Sequence, residues 1–96
     1  MYVVVSKWKV ASKDAEEVEK RGRAVRDEFR NEPGIEIFES FKTEDGNVVA
    51  VLGYASKQDY DRIVNTPGGP FQTALQKHRL EDYAEWAWSE RGETID

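Results

Sequence analysis

Along Tyr2–Val10 an apolar run gives way, from Ser6 on, to alternation of polar and apolar residues. Tyr2, Val4, Ser6, Trp8 and Val10 fall on one side, and Val3, Val5, Lys7 and Lys9 on the other. The β-branched and aromatic content marks a strand whose first half is apolar on both sides. The period then changes: Ala15, Val18, Gly22, Val25 and Phe29 recur at spacings of 3, 4, 3 and 4, which is a single helical stripe. Ser12 is placed to cap this helix, acids fill its first turns, and Pro33-Gly34 ends it near Asn31. The stripe assigns Glu19, Arg23, Arg26 and Asp27 to water. Gly22 costs about 1 kcal/mol relative to Ala in a helix, so a close approach of the helix to a sheet is expected there. A second strand follows over Ile35–Lys42, and the Asp45-Gly46 pair predicts a hairpin. The third strand, Val48–Tyr54, does not alternate, as in a strand covered on both faces.

Ser56 and Asp59 form the start of a second helix with Tyr60, Ile63 and Val64 on its stripe. Thr66-Pro67-Gly68-Gly69-Pro70 breaks it, and Phe71, Ala74, Leu75 and His78 resume the pattern. Tyr83–Ser89 predicts a fourth strand with Ala84, Trp86 and Trp88 on one side, and Arg91–Asp96 a polar tail. Ala11-Ser12-Lys13 and Ala55-Ser56-Lys57 open both helices after valine-rich strands, an internal echo of two split βαβ halves. The fold expected is α+β, ferredoxin-like βαββαβ, with strands 1 and 3 central in a four-stranded antiparallel sheet and the helices on one face. The other face would leave Val, Phe and Trp side chains bare, more than a monomer normally tolerates. Covering several hundred Å² at ~25 cal/mol per Å² is worth on the order of 10 kcal/mol before association costs. A homodimer through the sheet face is therefore expected.

Composition narrows the function classes. A chain of 96 residues makes a single domain spanning 1–96. It contains no cysteine, so neither a disulfide nor a Cys-based metal site can form. The net charge of −5 argues against a nucleic-acid partner. No apolar run approaches the ~20 residues of a membrane span, and no signal segment opens the chain, so a cytoplasmic location without a membrane partner is expected.

Val3-Val4-Val5, Glu32-Pro33-Gly34-Ile35, Tyr54–Tyr60, and Phe71 followed by Gln76-Lys77-His78-Arg79 together resemble the antibiotic biosynthesis monooxygenase family of the dimeric α/β-barrel superfamily. The resemblance covers nearly the whole chain and rests on fold-level motifs. It implies a barrel dimer and a cofactor-free monooxygenase acting on a small aromatic quinol or phenol in an apolar pocket between sheet and helices. Haem degradation is the family's other activity. Its strand-1 Asn falls at Ser6 or Lys7, its Trp at Ile63 and its His at Leu75, so the usual haem residues are not matched. The alternatives are a non-catalytic dimeric binding or stress-response module and a haem-binding relative using His78.

The candidate catalytic residues are His78, the chain's one histidine, and Tyr60. Trp8, Tyr54, Ile63, Phe71 and Trp86 are the candidate substrate-binding residues, with the tryptophans as an aromatic wall. Each has a plainer reading as core, interface or helix-end residue. The acidic runs Asp14–Glu19 and Glu90–Asp96 read as solvated surface without a metal site.

Overall fold

The computed structural model describes residues 1–95. Its elements are β1 (Tyr2–Val10), α1 (Ala15–Phe29), β2 (Ile35–Lys42), β3 (Val48–Tyr54), α2 (Lys57–Tyr60), α3 (Pro70–His78) and β4 (Ala84–Glu93). The strands form one four-stranded sheet in the order β2-β3-β1-β4, every neighbouring pair antiparallel. This is the expected ferredoxin-like α+β arrangement, with β1 and β3 central. No helix among the described residues is long and apolar enough to cross a membrane.

The two halves of the internal echo behave differently. Ser56 caps α2, because its Oγ accepts from the Asp59 amide at 3.1 Å and donates to Asp59 Oδ2 at 3.0 Å. Ser12 caps nothing: the chain first turns through a 3-10 segment, Ser12–Asp14, so the α-helix begins three residues later at Ala15. A π-helical turn, Asp61–Asn65, extends α2, and α3 restarts at Pro70, whose missing N–H is no loss in a first turn. The β2–β3 hairpin closes with Gly46 at φ +85° and Thr43 N–H donating to Asn47 O at 2.9 Å.

β4 departs most from the expected pattern. It runs to Glu93, well into the expected polar tail, because Tyr2 pairs with Glu93 and Thr94 N–H donates to Met1 O at 2.9 Å; Asp96 lies outside the described residues. A register shift between Lys7 and Trp8 inserts one extra residue into β4, so Trp86 opposes Trp8 while Trp88 opposes Lys7. Residues directly opposite share a face of the sheet. The two tryptophans therefore lie on opposite faces, not together as strict alternation implied.

One face of the sheet carries the core. Tyr2 and Val4 of β1 and Leu52 and Tyr54 of β3 pack with Val25 and Phe29 of α1 and with Tyr60, Ile63 and Ala74 from the following helices. Phe29 stacks between Phe38 and Phe71, with both centroid distances at 6.0 Å. The outer face holds Val3 and Val5 from β1, Val49 and Val51 from β3, and Ile37 and Phe41 from β2. Ile37, Phe41 and Trp88 on that side are 37%, 57% and 44% exposed, an apolar patch that no helix covers.

Candidate functional site

The layer between helices and sheet is closed at one end and open at the other. Along the inner face of β1, Tyr2, Val4 and Ser6 are buried, whereas Trp8 and Val10 are partly exposed. At the open end lies a cavity of about 360 Å³ beneath α1. Small-ligand sites occupy roughly 300–1,000 Å³, so the space is of ligand size.

The sheet supplies the floor through Trp8, Phe38, Ala50 and Leu52; α1 supplies the roof through Val18, Gly22 and Val25. Phe71 and Leu75 close the inner end. Gly22 is not pressed against the sheet as expected: a Cβ built there meets nothing within 4 Å, so the missing side chain leaves space. Four charged side chains join this wall, Glu19, Arg23 and Arg26 of α1 and Lys42 at the end of β2. The Lys42 ammonium sits 4.0 Å from Glu19, and both are about half exposed, which places them at the rim. Arg26 is set deeper, with a side chain 28% exposed and an Nε that is shut from water without a hydrogen-bond acceptor. Ser6 Oγ accepts from Trp8 Nε1 at 3.1 Å, leaving its own O–H to donate into the cavity.

Of the seven residues proposed from the sequence, the cavity wall contains Trp8 and Phe71. The other five lie elsewhere, for local reasons. Tyr54 and Tyr60 belong to the closed end, where Tyr60 packs against the rings of Tyr2 and Tyr54 at 5.1 and 5.3 Å. Burial, with a smaller contribution from Tyr60, pushes the Tyr54 phenol well above its ordinary pKa of 10.0, so it is a poor proton donor. Ile63 is completely buried in the same cluster. Trp86 shares the helix-side face with Trp8 but is 55% exposed, its Nε1 donating to Ser89 Oγ at 2.8 Å.

His78 is a clamp between helices. Its Nε2 is shut from water 3.0 Å from Glu28 Oε1, and its carbonyl accepts from Arg21 Nη1 at 2.8 Å. The Glu28 carboxyl is held below its ordinary range by the Lys77 ammonium and then by His78. Arg21 also lies over the Tyr83 ring, 4.5 Å from its centroid. These contacts fasten the end of α3 to α1 and direct His78 away from the cavity.

The residues missed in the sequence are Ser6, Glu19, Arg23, Arg26 and Lys42. The α1 set had been assigned to water because a helical stripe cannot separate a solvated flank from a cavity wall. Gly22 in mid-stripe was the available signal.

The molecule is thus an α+β domain of one four-stranded sheet roofed by helices, with an apolar space of ligand size and a charged rim between them. The sequence model of the family described as antibiotic biosynthesis monooxygenase matches residues 1–79, and the chain belongs to that family. Solved structures share the fold. One antibiotic biosynthesis monooxygenase superposes with a TM-score of 0.80 at 13% identity, covering 100% of both chains. SnoaB from Streptomyces nogalater, a cofactor-independent oxygenase, gives 0.76 at 16% identity over 99% of this chain and 93% of its own. A variant of MhuD with two manganese protoporphyrin IX molecules bound per active site gives 0.77 at 21% identity, over 99% and 95%. No curated protein matches the sequence.

Proposed function

We propose that this protein is a cofactor-independent monooxygenase that oxidises a small aromatic quinol, phenol or anthrone in the cavity beneath α1. The observation that carries the reading is the open apolar space between helix and sheet in a member of this family. Such a substrate is electron-rich enough, once deprotonated, to react with O₂ directly. The protein must bind it, orient it and favour its anion.

Each of these tasks has a residue. Trp8, Phe38 and Phe71 take the flat ring system, and the Ser6 hydroxyl orients a ring oxygen. Glu19 is the one carboxylate in the described wall and takes the part of proton acceptor. Arg23 and Lys42 stabilise the substrate anion that this proton transfer creates. For an anthrone, the methylene loses a proton and the carbanion passes one electron to O₂. The two radicals join through a C–O bond, and the resulting peroxide breaks its O–O bond as the second methylene hydrogen leaves in water. One CH₂ and one O₂ thus become one C=O and one H₂O.

The residues present do not fit haem. The described wall offers no His, Cys, Met or Tyr as an axial ligand, and His78 is held against Glu28. Assembly belongs to the same proposal: a second copy, sheet against sheet, covers Val3, Val5, Val51, Phe41 and Trp88.

Oxygen uptake with a panel of quinols and anthrones tests the activity. Turnover above buffer is expected, falling roughly 100-fold or more in Glu19→Gln as for loss of a general base. No uptake above buffer with any substrate, with and without reductant, refutes it. Hemin titration should give no Soret shift that His78→Ala removes.

A further inference from the structure

We propose that a depression beyond the open end of the cavity takes a neutral, hydroxyl-bearing substituent of the aromatic ligand, and that Ala84 is the residue that admits it. The inference rests on the cavity being a ligand site and adds a second compartment with its own chemistry.

The first observation is continuity. The β1–β4 ladder ends at the rung where Val10 opposes Ala84. That rung borders both the cavity and a depression of about 420 Å³ at the end of the sheet. Three chain segments pass from one wall to the other within a single residue: Val10 to Ala11, Gly46 to Asn47, and Leu80 to Glu81. The two spaces therefore meet at the open end, and the depression alone has the size of a small-ligand site. Ala84 puts a single methyl group on the rung between them, and a bulky side chain there would dam the passage.

The second is a change of chemistry. The cavity wall is mainly apolar, but the depression wraps the end of the sheet and brings Lys9 and Glu85 from its outer side together with Asn47 and Glu81. Lys9 and Glu85 lie directly opposite each other across β1 and β4. Asp82 also lines the depression but is bound to Arg79 at 2.7 Å. Asn47 Oδ1 accepts from Val10 N–H at 2.9 Å, which holds the side chain at the rung with its NH₂ left to donate. The wall thus offers donors and acceptors side by side, with charges of both signs. An apolar substituent would strip water from these groups without replacing its hydrogen bonds. A single charge would be attracted by one sign and repelled by the other. Hydroxyl groups both donate and accept, so they can pair with every group of this wall.

The test measures binding by quenching of tryptophan fluorescence in the full chain. Its neutral probes are anthracene-9-carboxamide, the N-propyl derivative and the N-(2,3-dihydroxypropyl) derivative. The two tails have the same length, so their difference isolates the hydroxyls. The diol should bind roughly fivefold tighter than the propyl compound, or more. Lys9→Ala and Glu81→Ala, both at exposed side chains, should each weaken the diol roughly threefold or more and leave the bare amide unchanged. Ala84→Phe should weaken both tailed compounds roughly tenfold or more, while the bare amide stays within about threefold. Arg30→Gln, beyond the end of α1, should change nothing, and far-ultraviolet circular dichroism verifies each fold. The assignment is overturned by a diol that binds no tighter than the propyl compound, or by a preference that survives both folded Lys9→Ala and Glu81→Ala. A folded Ala84→Phe that keeps the original ratio of tailed to bare binding overturns the role of Ala84. Should the bare amide itself fail to bind at millimolar concentration, the cavity reading falls and this inference with it. The readout needs no oxygen. A protein that prefers the diol but consumes no O₂ keeps this inference and loses the oxygenase reading; turnover without the preference does the reverse.

Discussion

Gly22 connects stability and site in one residue. It sits in the middle of α1, where glycine is destabilising by roughly 0.5–1 kcal/mol relative to alanine because the unfolded chain has more freedom to lose. A Cβ at that position meets nothing within 4 Å, so Gly22→Ala neither clashes nor gains a buried contact. The whole propensity difference should therefore appear as added stability of about 0.5–1 kcal/mol. For a domain of this size, at ~4–8 °C per kcal/mol, the melting midpoint should rise by roughly 2–8 °C. Thermal melts followed by circular dichroism measure this, with variant and parent at one protein concentration because association also shifts the midpoint. A second substitution separates space from stability. Gly22→Leu keeps a good helix former but puts a side chain into the cavity, so anthrone binding, read by quenching of tryptophan fluorescence, should fall at least tenfold while the midpoint stays at or above that of the parent. A lower midpoint for Gly22→Ala would mean that α1 packs closely where the structure leaves a gap. Unchanged binding in Gly22→Leu would mean that the ligand sits elsewhere.

The closed end supplies the converse case: Ile63 is completely buried, and Ile63→Ala should cost about 2–5 kcal/mol by urea denaturation. A loss under 1 kcal/mol would show the aromatic cluster to be loosely packed. Tyr54 has a folded-state pKa raised above 10.0, by burial first and Tyr60 second, so its neutral form is favoured by folding. That contribution is complete below pH 10 and is lost as pH climbs through the folded value. The Tyr54 ring-carbon resonance should remain that of a phenol at pH 11, and ionisation at its ordinary pKa would contradict the burial. The sheet face is tested by sedimentation at micromolar concentration: the parent should run at twice 11.0 kDa and Val51→Glu as a monomer. A parent that is monomeric at every concentration would remove the proposed dimer.

Most of the architecture was legible because it rests on two periods, and those survive packing: the strands of β1, β2 and β3 begin and end where alternation or apolar runs do. The β4 bulge was not, since Ala84, Trp86 and Trp88 alternate in sequence and only the pairing with Lys7 and Trp8 reveals the extra residue. The candidate site was legible in Trp8 and Phe71 alone. His78, Tyr54 and Tyr60 drew attention through their chemistry, but imidazole and phenol also serve as packing and clamping groups, and here contacts with Glu28 and among the rings decide. Arg23 and Arg26 were passed over for the opposite reason, because charge on a helix flank usually meets water.

The two ends of the helix–sheet layer account for each other. Phe29 between Phe38 and Phe71, and the Arg21 and Glu28 contacts to α3, fasten α1 at its middle and its end. Gly22, on the turn beside these anchors, can then face an unfilled space, because it is carried by a helix fastened on either side of it. An unfilled wall forfeits dispersion contacts that a packed one would make. A sequence under selection for stability alone gains from placing a methyl group at residue 22, where the structure shows room for one. The β4 bulge adds to the same division. It turns Trp88 to the outer face beside Lys7 while Trp8, one residue along β1, stays in the cavity floor. The proposed ligand site and the proposed dimer surface are thus opposite sides of one strand segment. A substitution in the outer patch near Lys7 should therefore alter ligand binding through the position of Trp8, whereas one near Val3, at the closed end of the sheet, should affect association alone.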